Sequence, residues 1–245
     1  MQAASQEAAF FMHTEIQQLF EEIGGEFVSS PSEIQSRLSQ IKAFVFDWDG
    51  VFNNAIKNEN KSSTFNEADS MGTNLLRYTY YHQHGEMPKA ALISGERNEM
   101  AFHFSLREHF DASYYKIPHK INALNHFCEQ HKLGLNEVCY FFDDVLDLSI
   151  AEACGLRILI NRKANPLFRK YVVGNKLADY VTGHDSGNFA IREASEMLIG
   201  LSGLYDTIIT ERRTFSENYS AYFKARQAAS TDFYTIKDGN IILHA

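Results

Sequence analysis

Two aspartates close an apolar run early in the sequence. The segment AFVFDWDGVF, residues 43–52, places Asp47 directly after four apolar residues and Asp49 two positions later. Burying a carboxylate at the end of a strand is costly unless a partner compensates it. An aspartate so placed can attack phosphorus and form an aspartyl-phosphate, while a second carboxylate can protonate the leaving alkoxide and later deprotonate water. The pair therefore indicates phosphoryl transfer, with Asp47 as nucleophile and Asp49 as general acid and base.

Two residues further along the chain are candidates for binding the phosphoryl group. Ser94 lies in the predicted strand 89–95, and Lys120 lies near the start of the predicted helix 119–133. The serine hydroxyl could donate to a phosphoryl oxygen, and the ammonium group could orient the nucleophile and offset negative charge. Taken alone, each residue also has an ordinary structural interpretation: a strand-to-helix turn at Ser94 and a solvated helix residue at Lys120.

Asp143 is the candidate third oxygen ligand of a metal ion. It lies near the end of the predicted strand 137–144. Proteins hold Mg²⁺ through one or two carboxylates, with water and substrate phosphate completing its shell. We expect Asp47, Asp143 and the backbone carbonyl of Asp49 to face such an ion. The alternative is that Asp143 and Asp144 only cap the N-terminus of a helix.

The elements that must position these groups alternate between strand and helix. Predicted strands lie at 41–47, 89–95, 112–117, 137–144, 156–160 and 178–182, and predicted helices at 70–85, 97–110, 119–133, 146–154 and 188–203. Such alternation indicates an α/β fold with a mainly parallel sheet and helices on both faces. In these sheets the ligand crevice lies outside the carboxyl ends of the strands. Asp47, Ser94 and Asp143 should therefore converge there.

Four motifs, in order, carry a family resemblance. The segments FDWDGVF, LISGE, HK and FFDDVLD resemble the motifs of haloacid-dehalogenase (HAD) superfamily phosphatases, over roughly residues 41–200. The resemblance implies a three-layer Rossmann-like fold and a Mg²⁺-dependent phosphatase that forms an aspartyl-phosphate. It implies these roles: nucleophile and metal ligand Asp47, general acid/base and carbonyl ligand Asp49, phosphate-binding Ser94, Gly95 and Lys120, and metal ligand Asp143, with Asp144 nearby and Asp147 in support.

The spacing of the motifs resembles a branch of the superfamily without a large cap domain. Residues 52–70 leave room for a loop or small hairpin only. The segments 65–76 and 178–198 resemble stretches of the branch typified by 3-deoxy-D-manno-octulosonate 8-phosphate phosphatases. This resemblance implies that Asn66 contacts the substrate. It also implies a homotetramer in which neighbouring subunits enclose the site, because phosphoryl transfer needs water excluded.

Several positions depart from the pattern of that branch. Ala68 and Glu96 stand where the branch has arginines, which are the natural partners of a sugar-acid carboxylate, and Arg97 follows one position late. Phe142 stands where the last motif normally has a glycine before its aspartates, and it could reshape the metal loop or narrow the pocket. We therefore expect a small sugar-like or other metabolite phosphomonoester as substrate. The alternative hypothesis is a catalytically idle scaffold of the same fold that binds a partner.

Composition limits the remaining classes of function. The sequence has 31 acidic residues against 23 Lys and Arg, a net charge of −8, which argues against nucleic-acid or anionic-membrane partners. No segment approaches the roughly 20 apolar residues of a membrane span, and the N-terminus does not read as a signal peptide. The three cysteines fit no zinc or disulfide framework. We expect buried thiols in a reducing cytoplasm.

Segments outside the motif region define the predicted domain organisation. Residues 1–40 are predicted as an N-terminal helical appendage, 41–203 as the catalytic domain and 204–245 as a C-terminal helix and hairpin. The dipeptide Asp238-Gly239 is the predicted turn of that hairpin. One hypothesis is that both terminal segments cover neighbouring subunits.

Overall fold

The computed structural model describes residues 2–57 and 63–244. Its strands are β1 (Glu26–Phe27), β2 (Ala43–Phe46), β3 (Lys89–Ile93), β4 (Ala112–Tyr114), β5 (Val138–Phe142), β6 (Leu156–Asn161), β7 (Tyr180–Asp185), β8 (Asp232–Lys237) and β9 (Asn240–Leu243). Its helices are α1 (Gln2–Glu22), α2 (Pro31–Leu38), α3 (Glu67–His84), α4 (Glu99–Glu108), α5 (Lys120–His131), α6 (Leu148–Ala151), α7 (Pro166–Gly174), α8 (Ala190–Leu201), α9 (Tyr205–Thr214) and α10 (Glu217–Gln227).

These strands form one sheet with the order β1-β7-β6-β5-β2-β3-β4-β8-β9. From β7 to β8 every neighbouring pair is parallel, and only the two edge strands, β1 and β9, run antiparallel to their partners. The predicted α/β class and mainly parallel sheet are confirmed. Strand β2 lies between β5 and β3, so the carboxyl ends of these three strands meet at one edge.

The sheet is covered on both faces, as a buried parallel sheet requires. Alternate side chains of β2 enter different cores: Phe44 and Phe46 pack with apolar residues of α3 and α8, while Ala43 and Val45 pack with those of α5 and α6. This alternation follows from the two-residue period of a strand. The predicted three-layer arrangement of helix, sheet and helix is therefore confirmed.

Some elements differ from those that the sequence pattern predicts. The helix expected at 146–154 is a 3₁₀ turn at Val145–Asp147 followed by the single-turn α6. Neither α7 nor β1 is predicted; in α7 only Val172 is buried, and β1 has two residues. The loop or hairpin expected at 52–70 includes residues 58–62, which lie outside the described residues. The flanking 54–57 and 63–66 contain no strand.

The C-terminal segment is built into the same sheet. The predicted hairpin is confirmed as β8 and β9, and its turn residues Asp238 and Gly239 both have positive φ, which suits a two-residue hairpin turn. Strand β8 pairs in parallel with β4. The single helix expected before the hairpin in the segment 204–245 is instead α9 and α10, because Phe215 adopts a left-handed conformation and ends α9. Tyr222 of α10 is fully buried against Tyr78 of α3.

Cys128, Cys139 and Cys154 are free and buried, as predicted. Among residues 2–57 and 63–244, no helix combines the length and the apolar character needed to cross a membrane.

Tyr222 provides a test of how strongly the C-terminal segment stabilises the fold. Its hydroxyl donates to the carbonyl of Asn74 at 3.1 Å, and its ring packs in the core. Replacing Tyr222 with alanine should lower the free energy of unfolding by about 3–5 kcal/mol because it leaves a cavity. Tyr222→Phe should cost only about 1 kcal/mol, the loss of one hydrogen bond. Denaturant unfolding measures both values, with the adjacent, more exposed Phe223→Ala as control.

Equal stability of Tyr222→Ala and Phe223→Ala would contradict this packing of α10.

Candidate active site

Three carboxylates meet at the carboxyl edge of the sheet. Asp47 follows β2, Asp143 follows β5, and Asp147 ends the 3₁₀ turn after β5. One oxygen of each lies within 4.8 Å of one oxygen of the others. The three residues are only 4%, 3% and 1% exposed. The predicted convergence of Asp47 and Asp143 is therefore observed, and Asp147 joins them.

Lys120 compensates two of these buried carboxylates. Its Nζ lies 2.6 Å from Oδ1 of Asp47 and 2.6 Å from Oδ1 of Asp147. The hydroxyl of Tyr140 also donates to Asp147 Oδ1, at 2.5 Å. Lys120 is itself buried as the first residue of α5, so α5 fixes its position. This ammonium group is the partner that makes the burial of Asp47 tolerable.

Arg162 compensates the third carboxylate. Its Nη2 donates to Oδ2 of Asp143 at 2.5 Å. Arg162 follows β6, the strand beside β5, and is not among the residues that the motifs predict. A signal for it exists, because it lies two residues beyond the predicted strand 156–160 and so reaches the same edge of the sheet.

Gly50 leaves space for the ion pair of Asp143 and Arg162 because it has no side chain. Its φ is +93°, a conformation that favours glycine. A Cβ on Gly50 would lie 2.0 Å from Oδ2 of Asp143 and 2.3 Å from Nη2 of Arg162. Any side chain at this position would therefore displace the carboxylate and the guanidinium from each other.

The carboxylates open into a small pocket of about 210 Å³ that also holds the predicted phosphate-binding residues. Ser94 and Gly95 line it together with Lys120. Ser94 follows β3 and is buried, and its Oγ accepts from the backbone N–H of Glu96 at 3.3 Å. The Glu96 residue lines the same pocket, so one wall carries a further negative charge.

Asp49 lines the pocket from the loop after β2, but its carboxylate is held by two neighbours. Lys57 Nζ donates to Oδ2 and Ser63 Oγ donates to Oδ1. Ser63 in turn accepts from the side chain of Asn98 at 2.9 Å. The predicted acid/base residue thus lies at the pocket within a network that links the loop to α4.

Asn66 does not line this pocket. Its side chain caps α3 by accepting from the backbone N–H of Asp69 at 2.8 Å, and it lines a separate cleft of about 160 Å³. Arg97 also stays outside the carboxylate pocket, where it pairs with Glu99 at 2.8 Å and lies over the ring of Phe102. Arg97 therefore does not take the place of the arginine that the branch has at the position of Glu96.

Phe142 points into the protein interior. It is fully buried in the core on the α5 side, stacked parallel to the ring of Tyr140. The two residues are two positions apart in β5 and therefore share a face. The bulky side chain does not line the carboxylate pocket, so this departure from the motif is absorbed by the core.

Burial and mutual repulsion raise the pKa values of two of the acidic groups, Asp47 and Asp143. Burial raises the pKa of Asp47 to about 6, although Lys120 partly offsets the shift. Burial, and then the charges of Asp47 and Asp147, raise the pKa of Asp143 to about 9, in spite of Arg162. Burial lowers the pKa of Lys120, but Asp47 and Asp147 outweigh this and keep it above its ordinary value. The three carboxylates therefore cannot all be ionised without an excess of negative charge in the site.

The residues at this edge fit a divalent cation. Hard oxygen donors are what Mg²⁺ prefers, and three buried carboxylates lie within reach of one ion. In the described residues two side-chain cations, Lys120 and Arg162, face these three carboxylates. A further positive charge would offset the repulsion from Asp47 and Asp147 that adds to burial in raising the pKa of Asp143. Asp47 and Asp143 are the better placed ligands, because in the described residues each accepts from one side chain on one oxygen. Asp147 instead accepts from Lys120 and Tyr140 on Oδ1 and from the backbone N–H of Asp144 on Oδ2.

No protein-family model matches the sequence. The chain is similar to the 3-deoxy-D-manno-octulosonate 8-phosphate phosphatase KdsC of Escherichia coli, with 22% identity over 179 residues that cover 71% of this chain and 88% of that protein. It is also similar to a solved HAD-superfamily (subfamily III A) hydrolase from Legionella pneumophila, with a TM-score of 0.62, 22% identity and coverage of 75% of this chain and 95% of that one.

A third similarity concerns a structure with bound groups. The 3-deoxy-D-manno-octulosonate 8-phosphate phosphatase of Moraxella catarrhalis, solved with magnesium, phosphate and KDO, matches with a TM-score of 0.60 and 22% identity, covering 76% of this chain and 99% of that one. Two of these relatives are phosphatases and one is a hydrolase, which agrees with the predicted phosphomonoester hydrolase activity. The resemblance inferred from the four motifs is confirmed: this chain has the fold of the haloacid-dehalogenase superfamily.

Proposed function

We propose that this chain is a Mg²⁺-dependent phosphatase that hydrolyses a small sugar-like or other metabolite phosphomonoester through a phosphoenzyme on Asp47. The observation that carries the proposal is the meeting of Asp47, Asp143 and Lys120 beside Ser94 at one edge of the sheet. The similarity to phosphatases of this fold supports it.

The nucleophile is oriented by the ammonium group beside it. Lys120 holds Oδ1 of Asp47, which leaves the other carboxylate oxygen to attack phosphorus. The bond between phosphorus and the substrate oxygen then breaks as the bond to Asp47 forms. Lys120 and the hydroxyl of Ser94 stabilise the charge on the phosphoryl oxygens. Asp147 acts through Lys120, because it fixes the ammonium group against the nucleophile.

Asp49 is proposed to move the protons of both half-reactions. In the first it protonates the leaving alkoxide, and in the second it deprotonates the water that hydrolyses the aspartyl-phosphate. Its contacts with Lys57 and Ser63 hold the carboxylate at the pocket wall until substrate enters. Transfer then requires that these contacts give way to the substrate oxygen.

Asp47 and Asp143, with the carbonyl of Asp49, would hold the Mg²⁺ ion. When bound, the ion neutralises charge on the phosphoryl oxygens. The support for this set is the chemistry of its donors and their burial. A relative of the same fold from Haemophilus influenzae was solved with cobalt, and the Moraxella relative with magnesium.

The pocket favours substrates without an additional carboxylate. Glu96 lines it, and Arg97 is engaged elsewhere with Glu99. A sugar acid would meet repulsion at this wall instead of an arginine fork. A neutral sugar or polyol phosphate of a size suited to about 210 Å³ fits these constraints better.

A catalytically idle scaffold is the second candidate. The pairing of Arg162 with Asp143 favours it, because a proposed metal ligand is already engaged. The burial of Phe142 in the core weakens this alternative, because the ring does not line the carboxylate pocket. Activity measurements separate the two candidates.

Hydrolysis of p-nitrophenyl phosphate tests the proposed function. With Mg²⁺ the wild-type protein should show activity that chelation by EDTA removes. Asp47→Asn should lower kcat by at least about 1,000-fold, because the nucleophile is lost. The matched control is Asp238→Asn in the distant hairpin turn, where asparagine tolerates positive φ, and it should retain activity. Equal inactivity of wild type and Asp47→Asn over a broad panel of phosphates would favour the scaffold.

The affinity for Mg²⁺ should rise with pH. The raised pKa values of Asp47, about 6, and Asp143, about 9, mean that protons compete with the ion for these groups. Binding should therefore tighten as the pH rises from about 6 to about 9, with release of protons. Calorimetry in buffers of different ionisation enthalpy measures both quantities. Asp143→Asn should remove most of the pH dependence above pH 7, and an affinity that falls with rising pH would contradict the ligand set.

We also propose that the protein is a homo-oligomer, with a tetramer favoured. The apolar side chains of Phe10, Phe11 and Leu19 in α1, and of Ile23 just after it, are exposed. Leu19 and Ile23 line a groove of about 520 Å³ between α1 and α8. Exposed apolar surface of this kind is typical of a face covered by another chain. Light scattering should give the mass of four chains, and the double change of Phe10 and Phe11 to serine should lower it. A monomeric wild-type protein would contradict this proposal.

A further inference from the structure

We propose that Arg162 is a tethered cation that competes with the divalent metal ion for Asp143, so that metal loading requires the guanidinium to leave the carboxylate. This inference rests on the metal site of the proposed function. It assigns to Arg162 a positioning role: the residue acts on the metal equilibrium through Asp143 and takes no part in bond making.

The contacts at the site assign Asp143 to Arg162 alone. Nη2 of Arg162 lies 2.5 Å from Oδ2 of Asp143. Lys120 serves the other two carboxylates, those of Asp47 and Asp147. Within residues 2–57 and 63–244, no other side chain donates a hydrogen bond to Asp143. A metal ion at Oδ2 of Asp143 would therefore meet the guanidinium on the same oxygen.

Charge makes simultaneous occupancy unfavourable. A divalent ion held by Asp143 and a guanidinium on the same carboxylate would repel each other in a poorly solvated site, where charges interact strongly. Without the metal ion, Arg162 supplies one of the two cations that face the three carboxylates. In the metal-free protein the guanidinium of Arg162 therefore compensates part of the carboxylate charge that the ion would compensate when bound.

The backbone places the guanidinium at the proposed metal-binding loop. The absent Cβ of Gly50 would lie within 2.3 Å of Nη2 of Arg162 and within 2.0 Å of Oδ2 of Asp143. Gly50 directly follows Asp49, whose carbonyl is a proposed ligand. The positively charged group thus lies against the same loop that would face the ion.

Arg162 is also free to leave. Its side chain is 28% exposed, whereas that of Asp143 is 3% exposed. In the described part of the chain, Asp143 is its one hydrogen-bonded side-chain partner. It lies between β6 and α7 and lines the pocket, so rotation of its side chain carries the charge into solvent without moving either element.

Binding of Mg²⁺ to Arg162→Gln tests the competition. Isothermal titration calorimetry of the full chain without substrate should show a dissociation constant lower by about tenfold than that of wild type, a coupling of ordinary size for two mutually exclusive ligands. The matched control is Lys163→Gln, which removes one charge from the next, exposed residue of the same loop. It should change the dissociation constant by less than about twofold, because exposed charges are screened.

Two results would overturn the inference: an unchanged or weaker affinity in Arg162→Gln, or the same gain in Lys163→Gln. If Arg162→Gln does not fold, Arg162→Lys gives the second measurement, since a point charge on a different stem cannot reproduce the contact. A smaller tightening supports competition and unchanged affinity refutes it. Thermal unfolding adds an independent readout: the increase in Tm on adding Mg²⁺ should be larger in Arg162→Gln than in wild type.

These measurements test the role of Arg162 independently of the proposed phosphatase activity. Equal Mg²⁺ affinity in wild type and Arg162→Gln, together with phosphatase activity, refutes the role of Arg162 and leaves the enzyme proposal in place. Tighter binding in Arg162→Gln without activity on any phosphate supports the competition and refutes the enzyme proposal.

Discussion

The structure depends on the burial of three carboxylates that two side-chain cations compensate. Asp47, Asp143 and Asp147 would each be costly in the interior, and Lys120 and Arg162 make their burial possible. The compensation is incomplete, because three carboxylates face two cations in the described residues; burial first, and then the charges of Asp47 and Asp147, raise the pKa of Asp143 in spite of Arg162. A pocket that retains excess negative charge in a small volume favours a divalent cation, and a cation there favours a phosphoryl group. The proposed chemistry follows from this imbalance.

The scaffold turns residues that are distant in sequence into one site. Strand β2 lies between β5 and β3, so Asp47 has Asp143 on one side and Ser94 on the other. The two apolar cores fix β2 through its alternate side chains. The terminal segments extend the same sheet at both edges through β1, β8 and β9. About three quarters of the chain matches the phosphatases that resemble it. The terminal segments therefore extend a sheet whose central part has the fold of those phosphatases.

Much of the site could be predicted because strand ends in a parallel sheet share an edge. Asp47, Ser94 and Asp143 follow three strands with continuous apolar runs, and that pattern is visible in the sequence. The inward orientation of Phe142 could also be predicted from the two-residue period of a strand, because Phe142 shares a strand face with Tyr140 and not with Asp143. The order of the strands, which makes β2 central, depends on packing that no local pattern contains.

The remaining features depend on side-chain contacts between distant segments. The pairing of Arg162 with Asp143 joins two loops and needs the left-handed backbone of Gly50. The engagement of Asp49 by Lys57 and Ser63 depends on the path of a loop without a regular period. Asn66 illustrates the opposite limit: an asparagine before an apolar helical run is a standard N-cap, and in the structure its side chain caps α3. A role in substrate binding stays a prediction.

The central claim is that Asp47 accepts a phosphoryl group beside an ion held by Asp143. A crystal structure of the full chain with Mg²⁺ and beryllium trifluoride, a mimic of a bound phosphoryl group, tests it directly. The expected result is the fluoride group on a carboxylate oxygen of Asp47, within hydrogen-bond distance of Ser94 and Lys120, and the ion in contact with Asp47 and Asp143. Binding of the mimic away from Asp47, or of the ion without Asp143, would contradict the claim.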